Sequence, residues 1–353
     1  MFQAIIKKGK VFSEEVPAPT VQKKCVLIKV ANSCISSGTE ISTVSNSNKS
    51  LLQKAKEKPE KVYKVIDKLK VDGISSTINM VKSELSIGKP TGYSVSGTII
   101  EIGEEVDTFE VGDFVAAASA SANHAEYVNV PVNLVCKIPK GLSLENASTV
   151  ALGAIAIQGV RRSELSLGET CVVFGAGIIG LITIQLLQNA GVRVAAIDLD
   201  ENRLQLAKLY GTEQIFLSDE NIVKSIINWT GGFGADAIIF TAATRSSEPL
   251  SNSFKMCKRK GKVVLVGVSG MEINREDLYS KEIDFLISTS YGPGRYDTNY
   301  EEKGIDYPFS YVRWTENRNM EEYLRLLSLR KISLDKMITD KVGIVDIEQA
   351  YNK

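Results

Sequence analysis

A glycine-rich turn between an apolar strand pattern and an apolar helix pattern constrains the fold of this chain most. A G-x-G-x-x-G run occupies residues 175–180, directly after the strand-like CVVF at 171–174, and it opens a helical pattern over 178–190. The next strand pattern, VRVAAI at 192–197, ends beside Asp198. This order of strand, glycine turn, helix, strand and acidic residue is the dinucleotide-binding fingerprint of a βαβ unit. It predicts a parallel, doubly wound sheet.

Each part of the fingerprint has a physical role. Gly175 makes the tight turn, Gly177 lets the backbone approach a pyrophosphate, and Gly180 lets the helix pack closely on the strand. The helix N-terminus offers unpaired N–H groups and a partial positive charge to phosphates. Asp198 would accept hydrogen bonds from ribose hydroxyls and would repel a 2′-phosphate, so we expect NAD rather than NADP. The cofactor-binding candidates of the turn also include Ala176, Ile178 and Ile179.

The chain of 353 residues exceeds what one hydrophobic core usually supports, which predicts two domains. Strand and helix patterns alternate from about residue 170 to 290, whereas the chain before about 141 shows short alternating runs typical of a β domain. We expect an outer domain at 1–145, a nucleotide-binding domain at 146–290, and a return to the outer domain at 291–353. A Lys-rich insertion at about 46–88 is either a solvated amphipathic hairpin or a cap over the active site.

Composition excludes several classes of function. Forty-two basic residues balance 42 acidic ones, so no net charge attracts nucleic acid. The apolar stretch at 172–187 is too short to span a membrane, and the first residues lack a secretory pattern, so we expect a cytoplasmic protein. Five cysteines without a C-x-x-C pair predict free thiols rather than a zinc ribbon.

Further motifs carry a resemblance to a known superfamily. The segment TGYSVSGT at 91–98 and the segment AEYVNVP at 125–131 resemble those of medium-chain dehydrogenases/reductases, the superfamily of the zinc alcohol dehydrogenases. The resemblance implies a Rossmann domain plus a mainly β, GroES-like domain. It also implies that Thr241, Ala242, Gly267 and Val268, which follow two later strands, line the nicotinamide end of the cofactor site.

A narrower resemblance concerns proteins of two fused parts. CISSGTE at 34–40 and ANHAE at 122–126 are similar to the N-terminal half of bi-domain oxidoreductases, in which a Gfo/Idh/MocA-type sugar oxidoreductase follows. Such proteins are often associated with polysaccharide synthesis. The chain ends at Lys353, before the closing helix and strand usual in the superfamily. The resemblance therefore suggests a shortened C-terminus and a separate partner of the Gfo/Idh/MocA type.

This chain lacks the residues that bind the catalytic zinc ion at the corresponding positions of the zinc alcohol dehydrogenases. Ser36, Tyr93 and Ser94 stand where the zinc branch has cysteine, histidine and glutamate, and hydroxyls do not hold zinc. An off-register site of Cys34, His124 and Cys136 is the alternative. We expect no metal, so that hydrogen-bonding side chains manage the proton. The catalytic candidates are Ser36, Thr39, Glu40, Tyr93 and His124, the only histidine.

Each candidate also has a structural interpretation. His124 is as well explained by packing as by proton transfer, Tyr93 as a core aromatic residue, and Glu40 as a residue that holds a turn or positions a sugar hydroxyl. The segment 291–320 is rich in arginine and aromatic residues, which suits a sugar acid or nucleotide sugar, or else a loop that seals two domains.

Three hypotheses for function follow. The first is a zinc-independent, NAD-dependent oxidoreductase that acts on a hydroxyl/carbonyl pair of a sugar or sugar-derived small molecule, with a homodimer expected. The second keeps the fold and reduces an activated C=C bond, as in quinone and enoyl reductases. The third is a non-catalytic dinucleotide-binding partner of a sugar oxidoreductase.

Overall fold

A computed structural model describes residues 1–36, 38, 40, 44 and 88–352 of the chain. The predicted insertion at about 46–88 lies outside the described residues except for Gly88, and so does the catalytic candidate Thr39. In the part of the chain that the structure describes, no helix is long and apolar enough to cross a membrane.

The N-terminal part is built from two antiparallel sheets. Five strands pair in the order β7-β3-β5-β6-β8, and three more pair in the order β2-β1-β4. Alternating apolar residues of the larger sheet, such as Val26, Ile28, Val95 and Ile99, are fully buried in its core. The strands are β1 Phe2–Lys7, β2 Lys10–Glu15, β3 Cys25–Ser33, β4 Lys89–Pro90, β5 Ser94–Ile102, β6 Phe114–Ala118, β7 Tyr127–Pro131 and β8 Val135–Lys137.

Two helices lead from this part to a third sheet, which is parallel. The short α1 (Leu144–Ala147) is capped by the Ser143 side chain, and α2 spans Val150–Ser163. All six strands of this third sheet are parallel, in the order β11-β10-β9-β12-β13-β14. Its strands are β9 Thr170–Phe174, β10 Arg193–Asp198, β11 Gln214–Leu217, β12 Ala235–Phe240, β13 Cys257–Leu265 and β14 Asp284–Ile287.

Helices connect these parallel strands, as the alternating pattern predicts. Every residue of β9 is buried, because helices cover both faces of the sheet. The predicted Rossmann-type α/β sheet and the mainly β domain are confirmed. The helices are α3 Ile178–Asn189, α4 Glu201–Leu209, α5 Ile222–Trp229, α6 Glu248–Met256 and α7 Arg275–Tyr279.

The C-terminal segment packs against both parts. Its helices are α8 Thr298–Glu301, α9 Glu316–Ser328 and α10 Ile347–Tyr351. Helix α9 crosses α2 so closely that a Cβ on Gly153 would overlap the Tyr323 ring, and α10 packs against β2. The Thr315 side chain caps the first turn of α9 by accepting a hydrogen bond from the Arg318 N–H. The proposed domain boundaries stay a prediction.

Candidate active site

The glycine turn lies where the order of the parallel strands reverses. Gly175 follows β9 and Thr241 follows β12, and these neighbouring strands flank the switch point at which open α/β sheets bind ligands. Gly175 has a φ of +106°, in the left-handed region, and a Cβ there would stand 2.6 Å from the Ala242 nitrogen. A Cβ on Gly180 would overlap the Gly175 carbonyl oxygen. Among the described residues, no atom lies within 4 Å of a Cβ built on Gly177, so they leave this side of the turn open.

Asp198 ends β10 beside this turn. Its Oδ2 accepts a hydrogen bond from the Ala176 N–H at 2.7 Å, and its Oδ1 accepts one from the Asp200 N–H at 3.0 Å. The carboxylate, 8% exposed, is thereby fixed against the first half of the turn. Leu199, which follows it, is 81% exposed at the same edge of the sheet. Leu199 was not among the cofactor-binding candidates predicted from the sequence. Its place directly after Asp198 was the only feature that could have indicated it.

The other cofactor candidates lie at the same edge. Thr241 Oγ1 donates to the Gly175 carbonyl oxygen at 2.7 Å, and the Ala242 N–H donates to Phe174 at 3.0 Å. Gly267 is so close to Ala242 that a Cβ would overlap its carbonyl oxygen. The structure also brings Val268, 66% exposed, to this edge, and Ile178 and Ile179 pack at the start of α3.

A buried carboxylate joins most of the catalytic candidates. Glu40 is 2% exposed and His124 is fully buried. Glu40 Oε2 lies 2.9 Å from His124 Nε2, accepts from Thr91 Oγ1 at 3.2 Å, and accepts from the Tyr351 hydroxyl. Glu40 Oε1 accepts from the Ser36 N–H at 2.8 Å. The other ring nitrogen of the histidine, Nδ1, lies 2.8 Å from Ser33 Oγ.

These donors determine the protonation of the network. Burial opposes ionisation of Glu40, but the hydrogen bonds from His124, Tyr351 and Ser36 outweigh it and lower the pKa of this carboxyl. Burial and the nearby Glu40 charge raise the pKa of the Tyr351 phenol, which therefore stays a donor. Burial, with Glu40 as a second cause, raises the pKa of the Cys34 thiol to about 12.

Exposure separates the roles open to the candidates. Because His124 has no exposed surface, it can act on a bound molecule only through its partners. Ser36 is 3% exposed and contributes its backbone to the Glu40 network. Tyr93 is half-buried against the core that α2 and α9 share, within electrostatic reach of Tyr291 and Tyr351. The Tyr93 hydroxyl oxygen is buried, so exposure alone does not assign this side chain to contact with a bound molecule.

The side chains of the alternative, off-register metal site lie apart in the part of the chain that the structure describes. Among residues 1–36, 38, 40, 44 and 88–352, no three His, Cys, Asp or Glu side chains are grouped as metal ligands. Cys34, His124 and Cys136 are therefore not assembled, and Cys136 Sγ instead donates to the Asn317 carbonyl oxygen at 3.6 Å. Ser94 Oγ donates to Ser148 at 2.6 Å and accepts from Ala151 at 3.1 Å.

Most polar side chains of the segment 291–320 contact one another. The pairs are Arg295 with Glu301, Tyr307 with Asp297 at 2.6 Å, Arg318 with Asp306, and Arg161 and Arg313 with the Trp314 ring. This arrangement favours the loop that seals two parts of the molecule over the sugar-binding hypothesis for these side chains.

Glu316, a further ligand-binding candidate of the segment 291–320, lies at the start of α9 and differs from the paired side chains. It is fully buried, and within the described residues neither of its carboxyl oxygens has a hydrogen-bond partner. Burial, and then the charge of Glu301, raise its pKa to about 8. No local pattern signals such burial.

Comparisons with known proteins agree with this architecture. The family model described as "Zinc-binding dehydrogenase" matches residues 179–303. (R,R)-butanediol dehydrogenase of Bacillus subtilis is 30% identical over 219 residues, which cover 54% of this chain and 62% of that enzyme. D-arabitol-phosphate dehydrogenase of Enterococcus avium is 24% identical over 331 residues, covering 82% and 86%. The chain thus spans less than two thirds of the first relative and most of the second.

A solved structure shares the fold over the whole length. Galactitol-1-phosphate dehydrogenase from Escherichia coli superimposes with a TM-score of 0.75 at 18% identity, covering 99% of this chain and 95% of that one. Alcohol dehydrogenase TADH from Thermus sp. ATN1 gives 0.76 at 18% identity, covering 100% and 96%. Together with the glycine turn, these matches show that the chain has an alcohol dehydrogenase-like fold, in agreement with the resemblance of its motifs to medium-chain dehydrogenases/reductases.

Proposed function

We propose that this chain is an NAD(H)-dependent oxidoreductase that acts on a hydroxyl/carbonyl pair of a sugar-derived substrate. The observation that carries the proposal is the glycine turn at the switch point, with an open side at Gly177 and with Asp198 fixed beside it. When bound, a nicotinamide cofactor supplies or accepts the hydride. The unpaired N–H groups at the start of α3 would hold its pyrophosphate.

The charges around β10 support NAD over NADP. Asp198 offers a carboxylate where the adenosine ribose would lie, and Asp200 and Glu201 add two more at the start of α4. A 2′-phosphate would meet this negative cluster at short range. Calorimetry tests the proposal: NADH should bind at least tenfold more tightly than NADPH. If neither cofactor binds, the proposed function is wrong.

We further propose that the reaction needs no zinc. Ser36, Tyr93 and Ser94 carry hydroxyls, burial raises the pKa of the Cys34 thiol, and both ring nitrogens of His124 already have partners. Tyr93 is the side chain that we assign to proton exchange with the substrate oxygen, while Glu40 and His124 hold the surrounding backbone. Stoichiometric zinc in protein purified without added metal, lost together with activity on chelation, would contradict this proposal.

The substrate class rests on the relatives. D-arabitol-phosphate dehydrogenase and D-xylulose reductase of Saccharomyces cerevisiae, 26% identical over 302 residues, are named for polyol or sugar substrates. A panel of polyols, sugars and their phosphates, followed by NADH absorbance, tests this assignment. Turnover of quinones or enones alone would favour C=C reduction, and binding without any turnover would favour the non-catalytic hypothesis. A role in polysaccharide synthesis, a Gfo/Idh/MocA-type partner, a homodimer and a cytoplasmic location stay predictions.

A further inference from the structure

The C-terminal helix contributes a side chain that belongs to none of the sequence motifs. Helix α10 is anchored by Ile347, which is buried in a small apolar cluster with residues of β1 and β2. From the last turn of this helix, Tyr351 donates its hydroxyl hydrogen to Glu40 Oε2, 311 positions away in the chain. The Tyr351 ring also meets the His124 ring edge-on, with centroids 6.4 Å apart.

We propose that Tyr351 is a positioning residue for the reaction: its hydroxyl fixes the Glu40 carboxylate, which in turn orients His124 and the chain segments that carry Ser36 and Tyr93. This inference rests on the proposed function, since it concerns the same site. The C-terminal helix is thereby part of the active-site framework.

The hydrogen bonds of Glu40 show how loss of the Tyr351 hydroxyl would change the positions of Ser36 and Tyr93. Glu40 binds the Ser36 N–H through one oxygen and the Thr91 hydroxyl through the other. The Thr91 carbonyl oxygen accepts the His124 N–H at 2.9 Å, and Tyr93 follows two residues later. A rotation of the Glu40 carboxylate would therefore release one hydrogen bond on each side of the network. Four donors converge on this one group, so the loss of any donor alters the arrangement of the others.

The network also determines which ring nitrogen of His124 carries hydrogen. An ionised carboxylate can only accept hydrogen bonds, so the hydrogen between Glu40 and His124 belongs to Nε2. In a ring that carries its one hydrogen on Nε2, Nδ1 accepts from the Ser33 hydroxyl. The chain has a single histidine, so the imidazole nitrogen signals of histidine-labelled protein all come from His124.

The experiment compares wild-type protein with Tyr351→Phe, which removes only the hydroxyl. Tyr311→Phe is the matched control, because Tyr311 is 88% exposed. We expect wild type and Tyr311→Phe to show a single Nε2–H tautomer in ¹⁵N spectra. In Tyr351→Phe the signals should broaden or divide between tautomers. The kcat should fall about tenfold, with the KM for NADH changed less than twofold, since a hydrogen bond to a buried charge is lost.

The outcomes separate this inference from the proposed function. Absence of any hydride transfer by wild type contradicts the proposed function. A Tyr351→Phe variant with the wild-type histidine spectrum and wild-type kcat overturns the inference alone. If Tyr351→Phe does not fold, Ile347→Ala loosens α10 without removing a donor to Glu40. The same spectral change should then appear, and an unchanged histidine spectrum would overturn the inference.

Discussion

The buried carboxyl of Glu316 should make the stability of this protein depend on pH. In the folded state its pKa is raised to about 8 by burial and by Glu301, from an ordinary value of 4.5. Below 4.5 both the folded and the unfolded chain hold the proton. Between 4.5 and about 8 only the folded chain holds it, so stability falls as pH rises; above about 8 the dependence ends.

The magnitude follows from the size of the pKa shift. One pKa unit corresponds to about 1.4 kcal/mol, so the full shift corresponds to about 5 kcal/mol of unfolding free energy. Relaxation of the surrounding loop reduces this value, and we expect a measured loss of at least about 2 kcal/mol between pH 5 and pH 9. Glu316→Gln keeps the shape and cannot ionise. The unfolding free energy of Glu316→Gln, relative to that of wild type, should therefore increase by at least about 2 kcal/mol from pH 5 to pH 9.

Denaturant unfolding at several pH values measures this difference. The chain has two tryptophans, and Trp314 lies two residues before Glu316, so Trp229→Phe as a background leaves one fluorophore near the site. Glu220→Gln is the control, since that side chain is exposed. If the stability difference between Glu316→Gln and wild type is the same at pH 5 and pH 9, the folded protein carries an ionised Glu316 and our reasoning is refuted.

Three further predictions concern the cofactor site and the candidate catalytic residues. Asp198→Asn should reduce the preference for NADH over NADPH at least tenfold in calorimetry, because one carboxylate facing the ribose is lost. Gly180→Ala should destabilise the fold by about 1–3 kcal/mol, because its methyl group overlaps a carbonyl oxygen, whereas Gly177→Ala should keep its stability and bind NADH more weakly. Tyr93→Phe and His124→Ala should each lower turnover at least tenfold with NADH binding retained, and normal turnover in both would refute their assignment.

Local sequence patterns were sufficient for the nucleotide-binding half. The helix predicted at 178–190 is Ile178–Asn189, and the strand predicted at 192–197 is Arg193–Asp198. Such elements are encoded by apolar periodicity and by the glycines at their ends, which act within a few residues. The candidates Glu40 and His124 lie together in the structure as a buried pair.

Contacts between distant segments could not be predicted in this way. Tyr351 reaches Glu40 only because α10 packs against β2, and no spacing in the sequence encodes that packing. Arginine and aromatic residues in the segment 291–320 suggested a ligand surface, yet Arg295 pairs with Glu301 within the segment. Composition shows which interactions a segment can make, and only tertiary packing decides whether the partner is a ligand or a neighbouring side chain.

Glu40 and Glu316 show that the pKa of a buried carboxyl group also depends on contacts that the local sequence does not encode. Both lie at the start of a turn or helix and both are almost completely buried. Glu40 receives hydrogen bonds from four donors on separate segments and has a lowered pKa, whereas Glu316 has none among the described residues and a raised pKa. Acidification through the lowered pKa of Glu40 should weaken the network around His124, and alkalinisation toward pH 8 should weaken the packing of α9. The two carboxyls therefore limit the stable pH range from opposite sides, because one is supplied with donors and the other is not.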